Sequence, residues 1–367
     1  MTTSSSNAAM PVLLELVLRR TSARQRVQSL RNALGGHTRC NFLVQDDPDP
    51  DAIASSLALR RTLGFSDAEA PIVSCGRVTR PENKRLLQEL GIRIKHVVAG
   101  SLKSLAPLVL VDIQPPYFGN RLDEVAAVVD HHPRAGPYHA RHDDVRTEYG
   151  ASATMAAEYL LANGDEALSR PLATALLYGI ITDTKSLSRS ASEEDLAMFA
   201  FLFSRADHAV LRRIQHPSYA PIALRRFGEA LENVRVRDGV AYIHLGKLPS
   251  EQEHIVAQLA EFCLGIAGAE VAAVSGVFDG RLVMSTRALS PDVRLGERLR
   301  AFFGAYGSAG GHPVMAKAVI QLGRWKKQHP YSSDRALQRS IRRALHLALN
   351  SPVVRPEPRL SRRSRKS

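Results

Sequence analysis

Acidic and histidine side chains stand at the ends of four apolar runs of the sequence. The runs cover 41–45, 107–112, 125–130 and 176–183. In chain order, the side chains at or just beyond their ends are Asp49, Asp51, Asp112, Asp130, His131, His132 and Asp183. Functional groups of an open parallel sheet gather just beyond the carboxyl ends of its strands. The order therefore predicts that the four runs deliver these groups to one edge of a sheet.

Such a cluster calls for a cation, because crowded carboxylates repel one another and raise one another's pKa values. Carboxylates with one or two imidazoles and no thiolate suit Mn²⁺ or Mg²⁺, with Fe²⁺ or Co²⁺ as further candidates, and disfavour a structural zinc ion. Two ions are predicted, since there are too many anionic groups for one. The candidate ligands are Asp49, Asp51, Asp112, His131 and Asp183. Any one of these acids alone is more simply a turn or capping residue, and only the ordered set indicates a site.

A parallel sheet covered on both faces must position these groups. Short apolar runs alternate with helix-like segments from Asn41 onward, which is typical of such a sheet. Further runs lie at 71–75 and 94–99, and the helical segments include 53–63, 154–161 and 192–203. Runs at 240–245, 269–278 and 281–287 indicate a second βα region. The predicted fold class is α/β, with a parallel-sheet domain followed by a smaller α/β domain.

The sequence divides into five predicted segments. A basic extension with a helix at 1–40 precedes a catalytic domain at 41–207. A linker helix at 208–233 leads to a substrate-binding domain at 234–323, and 324–367 forms a basic, partly disordered C-terminal extension. The net charge of +13 follows this division, since 1–40 carries +5, 324–367 carries +11 and the body carries −3. The body is thus slightly acidic, and only the ends favour polyanionic partners.

Composition and cysteine usage limit the compartment. The three cysteines are widely spaced and unpaired in pattern, which disfavours a disulfide framework or zinc site and fits a reducing cytoplasm. The mean hydropathy of −0.15 and the N-terminal pattern predict neither a transmembrane helix nor a signal peptide. A cytoplasmic location is expected.

Six ordered motifs resemble those of the DHH/DHHA1 family of phosphoesterases. They are PDPDAIAS (48–55), LVD (110–112), VVDHH (128–132), YGIITDT (178–184), STR (285–287) and GGHPVMA (310–316). The resemblance covers 41–323 and is closest to the members that degrade very short oligonucleotides, cyclic dinucleotides or 3′-phosphoadenosine 5′-phosphate. It implies a DHH domain, a DHHA1 domain and an active site in the cleft between them.

The resemblance also implies the roles of individual residues. Two manganese ions, replaceable by Mg²⁺ or Co²⁺, would be held by the five candidate ligands, with Asp112 bridging them. The catalytic residues would be His132, Asp112 and Arg287. The substrate would be bound by His132, Ser285, Arg287, Gly310, Gly311 and His312, with Gly310 to His312 as a loop that receives the nucleotide. Lys185 is a further expected contact to substrate phosphate, which rests on its charge and not on the resemblance. Consecutive glycines let backbone N–H groups approach an anion, and arginine offers a bidentate fork to phosphate.

Three positions depart from the family pattern. Gln45 stands where a metal-ligating histidine is usual, and its amide oxygen is a weaker ligand for Mn²⁺ than imidazole. Pro50 replaces a glycine between the two aspartates and removes an N–H donor. Lys185 replaces a glycine and adds a cation beside the cleft. Gln45 is included as a sixth candidate metal ligand.

The resulting prediction is a metal-dependent phosphoesterase. It would hydrolyse phosphodiester or phosphomonoester bonds of the nucleotides named above by two-metal activation of water. The alternative is a nucleotide-sensing or nucleic-acid-binding protein with a degenerate site, which Gln45 and the basic ends motivate. Nucleic-acid contact through the C-terminal tail and a homodimer are further expectations.

Overall fold

The structure is a computed structural model that describes residues 22–350 except 123, 163, 165–166, 189–190, 217–220 and 233. The chain divides into two compact units, Met1–Ser218 and Tyr219–Ser367. Residues 1–21 of the predicted N-terminal extension and residues 351–367 of the predicted C-terminal extension lie outside the described residues. Among the helices that the structure describes, none combines the length and hydropathy needed to span a bilayer.

A six-stranded parallel sheet forms the centre of the first unit; five of its strands fall on predicted apolar runs, and the sixth, at 139–145, lies in a polar segment for which no strand is predicted. Its strands are β1 (Asn41–Leu43), β2 (Ile72–Ser74), β3 (Ile94–His96), β4 (Leu108–Val111), β5 (Glu124–Asp130) and β6 (His139–Val145). Their order is β3-β2-β1-β4-β5-β6, and every pairing is parallel. The chain therefore reverses its direction of travel across the sheet between β1 and β4. Ligands of doubly wound sheets bind beyond the strand ends at such a switch point.

Both faces of this sheet are buried. Phe42 and Val109 point into one apolar cluster, and their neighbours Leu43 and Leu110 point into another. The first cluster is covered by helices, and the second by two 3₁₀ segments at Ala99–Leu105 and Pro115–Arg121. The helices of this unit are α1 (22–33), α2 (Pro50–Leu63), α3 (Pro81–Leu90), α4 (Ser152–Leu161), α5 (Arg170–Asp183), α6 (Glu193–Phe203) and α7 (His208–Gln215). Two-sided burial explains why the central strands β1, β2, β4 and β5 are largely apolar rather than alternating, whereas the edge strands β3 and β6 carry exposed polar residues.

One predicted strand is wrong. The run at 176–183 is the second half of α5, so Asp183 ends a helix and not a strand. Ser169 caps the N-terminus of α5 by accepting a hydrogen bond from the Leu172 N–H, and Pro171 stands in its first turn. This helix is buried on nearly all sides, and an apolar run without polar faces has no period that separates helix from strand.

A second six-stranded sheet forms the other unit, in the order β11-β12-β10-β9-β8-β7. Its strands are β7 (Arg235–Arg237), β8 (Val240–Lys247), β9 (Val271–Phe278), β10 (Arg281–Ala288), β11 (Gly307–His312) and β12 (Met315–Gln321). Only the pair β8 and β9 is parallel. The helices of this unit are α8 (Pro221–Glu232), α9 (His254–Cys263), α10 (Leu295–Phe303), α11 (Leu322–Gln328) and α12 (Asp334–Asn350). The predicted glycine loop is a strand, because Gly310, Gly311 and His312 pair with β12 in an antiparallel hairpin.

The cores of the two units reach beyond the expected domain boundaries. In the first unit, Val27 and Leu30 of α1 are buried in the core of the sheet. In the second, Trp325 of α11 and Leu345 of α12 are fully buried, so 324–350 is part of the folded unit. Where a single linker helix is expected at 208–233, the structure has two helices, α7 in the first unit and α8 in the second.

Two leucines of α12 offer a test of this core. We expect Leu345→Ala to lower the free energy of unfolding by about 2–5 kcal/mol, because the side chain is fully buried and its removal leaves a cavity. Leu347→Ala is the matched control, since that side chain is 55% exposed in the same helix, and a change within about 0.5 kcal/mol is expected. Denaturant unfolding measures both. Equal small effects would mean that α12 contributes nothing to the core.

Candidate metal centre

The first carboxylates of the site belong to the start of α2, directly after β1. Asp49 is the N-cap of this helix, and its Oδ1 accepts a hydrogen bond from the Ala52 N–H at 3.0 Å. Its Oδ2 accepts another from Gln45 Nε2 at 3.0 Å. Asp51 lies in the first turn and is fully buried. Pro50 between them is accommodated because the first turn of a helix needs no N–H donor.

The N-terminus of α4 holds Asp51. The backbone N–H groups of Ser152 and Ala153 donate to its two carboxylate oxygens at 2.8 and 2.7 Å. These N–H groups have no partner within their own helix, and the positive end of the helix dipole favours an anion here. The Ser152 hydroxyl donates to Asp112 Oδ1 at 3.0 Å. One short segment therefore orients two carboxylates, which the residue pattern alone does not reveal.

Asp112 follows β4 on the other side of the switch point. Its backbone has φ of +60°, in the left-handed region that few non-glycine residues adopt. The Asp112 N–H donates to the Val129 carbonyl of β5 at 2.9 Å, which holds this conformation. The Asp112 side chain is 1% exposed, and its Oδ2 is buried with no hydrogen-bond partner among the described residues.

His131 presents a lone pair to the carboxylates. Its Nδ1 lies 3.1 Å from the Tyr149 carbonyl, which can only accept, so Nδ1 carries a proton. In the neutral ring Nε2 is then unprotonated. Nε2 lies 3.4 Å from Asp112 Oδ1 and 3.2 Å from Asp183 Oδ2 but forms no hydrogen bond of good geometry. A lone pair facing two carboxylates is repulsive unless a proton on Nε2 or a metal cation stands between them.

Two overlapping sets of side chains could each hold a metal ion. One consists of Asp112, His131 and His132, and the other of Asp51, His131 and Asp183. In each set the ligand atoms lie within 4.8 Å of one another. Of the predicted ligands, the structure thus brings together Asp51, Asp112, His131 and Asp183. Asp49 lies outside both sets, and both of its oxygens accept hydrogen bonds.

The pKa values of the site residues are shifted by this crowding of carboxylates. Burial and the carboxylate of Asp183 raise the pKa of Asp49 and, more strongly, that of Asp51. Burial and the charges of Asp49 and Asp51 raise the pKa of Asp112 well above its usual range. Burial alone would lower the pKa of His131, but the carboxylates of Asp183 and Asp51 outweigh it and raise this pKa to about 9. Without a metal, the site must retain protons to offset its negative charge.

These residues fit a divalent metal ion. Asp112 Oδ2 and His131 Nε2 are buried acceptors without partners, and leaving such groups unsatisfied costs stability. Oxygen ligands with imidazole and without thiolate suit Mn²⁺, Mg²⁺ or Fe²⁺. The Tyr149 carbonyl fixes the ring of His131 in the way that outer partners commonly orient histidine ligands.

The second histidine is oriented by a buried aspartate. His132 Nδ1 and the His132 backbone N–H lie 2.9 and 3.1 Å from Asp130 Oδ1. Gln114 Nε2 donates to the other oxygen of Asp130 at 2.7 Å. Burial raises the pKa of Asp130, yet the hydrogen bonds from His132 and Gln114 outweigh it and hold that pKa below its usual range. Sequence reasoning assigned no role to Gln114, which precedes a turn and carries no motif.

A buried ionic network lies behind Tyr149. Arg146 forms a two-pronged ion pair with Asp144, with N–O distances of 2.8 and 2.6 Å, and a further pair with Glu158 at 2.6 Å. The Tyr149 hydroxyl donates to Glu158 at 2.8 Å, and the Arg146 guanidinium lies 5.0 Å from the centre of the Tyr149 ring. The network thus holds the residue whose carbonyl orients His131. The sequence gives no signal for this ionic network, because its charged residues are scattered around β6 without a motif.

Lys185 occupies an unusual turn directly after α5. It begins three consecutive non-glycine residues with positive φ, at 47°, 55° and 65°. The Ser186 N–H donates to the Ile181 carbonyl, and the Leu187 N–H donates to the Thr184 hydroxyl at 3.0 Å. Such backbone is costly and is held here by these bonds. Lys185 is half-buried in this turn, within two residues of Asp183.

The predicted substrate residues of the second unit lie on β10 and β11. Arg287 is largely buried, and it donates to Glu261 at 2.8 Å and to the Ser285 hydroxyl at 2.9 Å. Gly311 is required by close packing, because a Cβ there would stand 2.3 Å from the Met315 carbonyl oxygen. Gly310 faces the Arg300 guanidinium, 3.0 Å from where a Cβ would stand. Ser285 and Arg287 thus form one hydrogen-bonded pair.

Gly179 sets the distance between α5 and Asp51. A Cβ at this position would stand 3.0 Å from Ala153 Cβ, 3.1 Å from Asp51 Cα and 3.2 Å from Asp51 Oδ1. Gly179→Ala gains about 1 kcal/mol of helix propensity but overpacks a rigid contact at about 1–3 kcal/mol, so we expect a net loss of stability. Gly228→Ala is the control, because Gly228 lies in α8 with nothing within 4 Å. Thermal unfolding should show opposite signs, and stabilisation by both would contradict the close approach.

Sequence and structure comparisons find relatives for this chain. No protein-family model matches it. It is 30% identical over 306 residues to the uncharacterized protein MJ1633 of Methanocaldococcus jannaschii, a match covering 83% of this chain. It is 28% identical over 293 residues to the cyclic-di-AMP phosphodiesterase PdeA of Listeria monocytogenes, covering 74% of this chain. Over 168 residues, 42% of this chain, it is 34% identical to a probable manganese-dependent inorganic pyrophosphatase of Streptococcus mutans.

These matches span only part of each relative, at 62%, 44% and 53% of their own lengths. Among solved structures, an exopolyphosphatase-related protein from Bacteroides fragilis superposes with a TM-score of 0.66 at 16% identity. That superposition covers 89% of this chain and 97% of the other. At this identity it shows a shared fold, and it includes both units.

Proposed function

We propose that the chain is a metal-dependent phosphoesterase of short nucleotides, a member of the DHH superfamily that its motifs resemble. The observation that carries the proposal is the pair of overlapping ligand sets that share His131 at the switch point of the first sheet. His131 can bind only one ion, through Nε2, because its Nδ1 donates to the Tyr149 carbonyl. The carboxylates of Asp112 and Asp183 lie on either side of that nitrogen and supply the ligands for a neighbouring ion.

We assign two divalent ions to this cluster and take them to be Mn²⁺. The relative named as a manganese-dependent pyrophosphatase supports this choice, as does the mixture of carboxylate and imidazole ligands. When bound, such ions lower the pKa of a water molecule and offset charge on a phosphate. Asp51, Asp112, His131 and Asp183 are the proposed ligands. Asp49 is proposed as a fifth ligand. It lies two residues before Asp51, and burial and the charge of Asp183 raise its pKa.

The remaining side chains are assigned to the phosphate. His132 is steered by Asp130, which accepts from its Nδ1 and fixes the direction of the ring. We assign its ring to a phosphate oxygen, where a hydrogen bond offsets charge that grows during hydrolysis. Arg287 of the second unit is held by Glu261 and Ser285, and we assign it to a substrate phosphate. Lys185 of the first unit and the segment Gly310 to His312 of the second are assigned to the substrate as well.

The substrate class is short oligonucleotides, cyclic dinucleotides or 3′-phosphoadenosine 5′-phosphate. The relative named as a cyclic-di-AMP phosphodiesterase makes cyclic dinucleotides the first candidates. Hydrolysis would transfer the oxygen of water to phosphorus, break one P–O ester bond and leave the proton on the departing hydroxyl. A cyclic dinucleotide would give a linear dinucleotide, a short oligonucleotide would give mononucleotides, and 3′-phosphoadenosine 5′-phosphate would give a mononucleotide and inorganic phosphate.

A hydrolysis screen tests this function. The full chain is incubated with Mn²⁺ and with dinucleotides, cyclic di-AMP and 3′-phosphoadenosine 5′-phosphate, and products are separated by chromatography. We expect turnover of at least one of them, lost with EDTA and restored by Mn²⁺. No turnover with any divalent ion, together with an Asp112→Asn variant indistinguishable from the native chain, would contradict an enzymatic site.

A second candidate function is nucleotide binding without hydrolysis, and the position of Gln45 favours it. The Gln45 amide donates to Asp49 Oδ2, so that oxygen is partly occupied where a histidine ligand would leave it available. Gln45→His should tighten metal binding if the position contributes to a site. Calorimetry with Mn²⁺ measures this, and unchanged affinity would remove Gln45 from the metal centre.

A further inference from the structure

The exposed face of α12 carries a stripe of arginines. Arg335, Arg339, Arg342 and Arg343 are all exposed, and at 3.6 residues per turn they fall within about 100° around the helix axis. From the first to the last, the stripe rises about 12 Å along the helix. The opposite side of the helix carries the buried residues Leu337, Ile341, Ala344, Leu345 and Ala348. The arginines therefore point away from the core of their unit.

The positive charge of the described chain is concentrated here. Residues 22–218 contain 23 basic and 23 acidic residues, and 219–350 contain 18 and 11. Within 322–350, seven lysines and arginines face the single acid Asp334. Six of the seven net charges between 22 and 350 thus lie on α11 and α12. A field of one sign on one surface attracts polyanions from solution.

The stripe arginines form no ion pair with any carboxylate that the structure describes. Across the described ranges, none of the four stripe arginines has a carboxylate oxygen within 4.0 Å, whereas arginines elsewhere pair repeatedly. Arg324, Lys326 and Lys327 of α11 are exposed as well. A row of unneutralised like charges repels itself and is unfavourable unless an external anion balances it.

The accessible face of α12 suits binding to nucleic acid better than binding to a membrane. A helix that binds a bilayer inserts its apolar face below the lipid headgroups. The apolar face of α12 is buried in the core around Trp325 and Leu345, and Leu347 is its single exposed large apolar side chain among the described residues. What remains available is a line of guanidinium groups, which bind phosphate bidentately and suit a phosphodiester backbone.

We propose that the arginine face of α12 (Arg335, Arg339, Arg342, Arg343) binds the phosphate backbone of a nucleic-acid strand. This goes beyond the hydrolysis of short nucleotides, because the surface lies outside every residue assigned to the metal centre or to substrate. Recognition is electrostatic and independent of sequence, since the stripe offers only arginine forks to phosphates.

Salt-dependent binding tests the proposal. The probe is a labelled RNA strand of about 20 nucleotides, longer than the span of one small binding domain, followed by fluorescence anisotropy in EDTA to prevent cleavage. The variant replaces all four stripe arginines with glutamine. The control variant removes four exposed cations of the first unit, Arg61, Lys84, Arg93 and Lys95, and therefore has the same net charge.

We expect the stripe variant to bind at least about tenfold more weakly, and its slope of log K against log salt to fall by about 3 between roughly 50 and 200 mM. The control should keep most of the native slope. Duplex DNA of equal length distinguishes a single-strand from a general backbone preference. Equal losses in both variants, or tighter binding of anionic vesicles than of RNA, would overturn the proposal. Unchanged Mn²⁺-dependent turnover and thermal unfolding of the stripe variant exclude misfolding.

Discussion

Asp112→Asn is expected to lower turnover of the best substrate by about 10³-fold or more. The substitution keeps the size of the side chain and an oxygen that can accept from Ser152, but it removes the negative charge of a buried carboxylate in one of the two ligand sets. A metal centre contributes several kcal/mol of charge stabilisation to the transition state, and about 4 kcal/mol corresponds to that factor. Steady-state kinetics with saturating Mn²⁺ measures the loss.

The same variant should not be less stable than the native chain without metal. Burial and the neighbouring carboxylates already disfavour the ionised form of Asp112, so a neutral amide relieves repulsion. Asp67→Asn is the control, because Asp67 is a 69% exposed surface partner of Arg60, and it should leave turnover unchanged. A metal-free Asp112→Asn protein that is strongly destabilised would assign Asp112 a structural role, and retained turnover would remove it from the reaction.

Metal removal is expected to reverse the pH dependence of stability. The pKa of His131 is raised from its ordinary 6.5 to about 9 in the folded chain. Its contribution to stability is therefore complete below about 6.5 and is lost as the pH rises through 9, a change of at most roughly 3 kcal/mol. The raised pKa values of Asp51 and Asp112 act in the same direction above about 4. The chelated protein should thus lose stability from pH 6 to 9.

Mn²⁺ should have the opposite effect. Metal ligands must be deprotonated, so binding displaces the protons that the site retains and becomes tighter as the pH rises. At about 100-fold excess over its dissociation constant, one ion adds about 2.7 kcal/mol. Thermal unfolding at pH 6, 7.5 and 9 with EDTA or Mn²⁺ measures the difference, with Mg²⁺ and Ca²⁺ as controls for ion type. A metal-induced shift that shrinks as the pH rises would contradict proton displacement.

Much of the fold can be predicted from the sequence, because its apolar residues cluster in short runs. The runs that became β1, β2, β4 and β5 are apolar on both faces, and the sheet that contains them is buried on both faces. The acids beyond β1 and β4 could be placed at one edge, since parallel strands all end on the same side. The resemblance to DHH/DHHA1 proteins rests on the same motifs and is confirmed.

The tertiary structure decided which of these groups meet. The run at 176–183 carries no period that separates helix from strand, and only its packing between α2 and α4, made close by Gly179, places Asp183 beside His131. The tautomer of His131 depends on the Tyr149 carbonyl, and the direction of His132 depends on Asp130 and Gln114. Asp49, two residues before Asp51, stands outside both ligand sets, and its oxygens accept hydrogen bonds from the α2 N-terminus and from Gln45.

The sequence by itself therefore determined the parallel sheet, the residue types of the metal centre and the basic character of the C-terminal region, because composition and apolar runs are local properties of the chain. The structure determined the rest. It decided which carboxylates share a site, that Gly310 to His312 form a strand, and that α12 turns its arginines outward by burying Leu337, Ile341 and Leu345. Those outcomes depend on contacts between residues far apart in the chain, and no local pattern encodes which distant groups pack together.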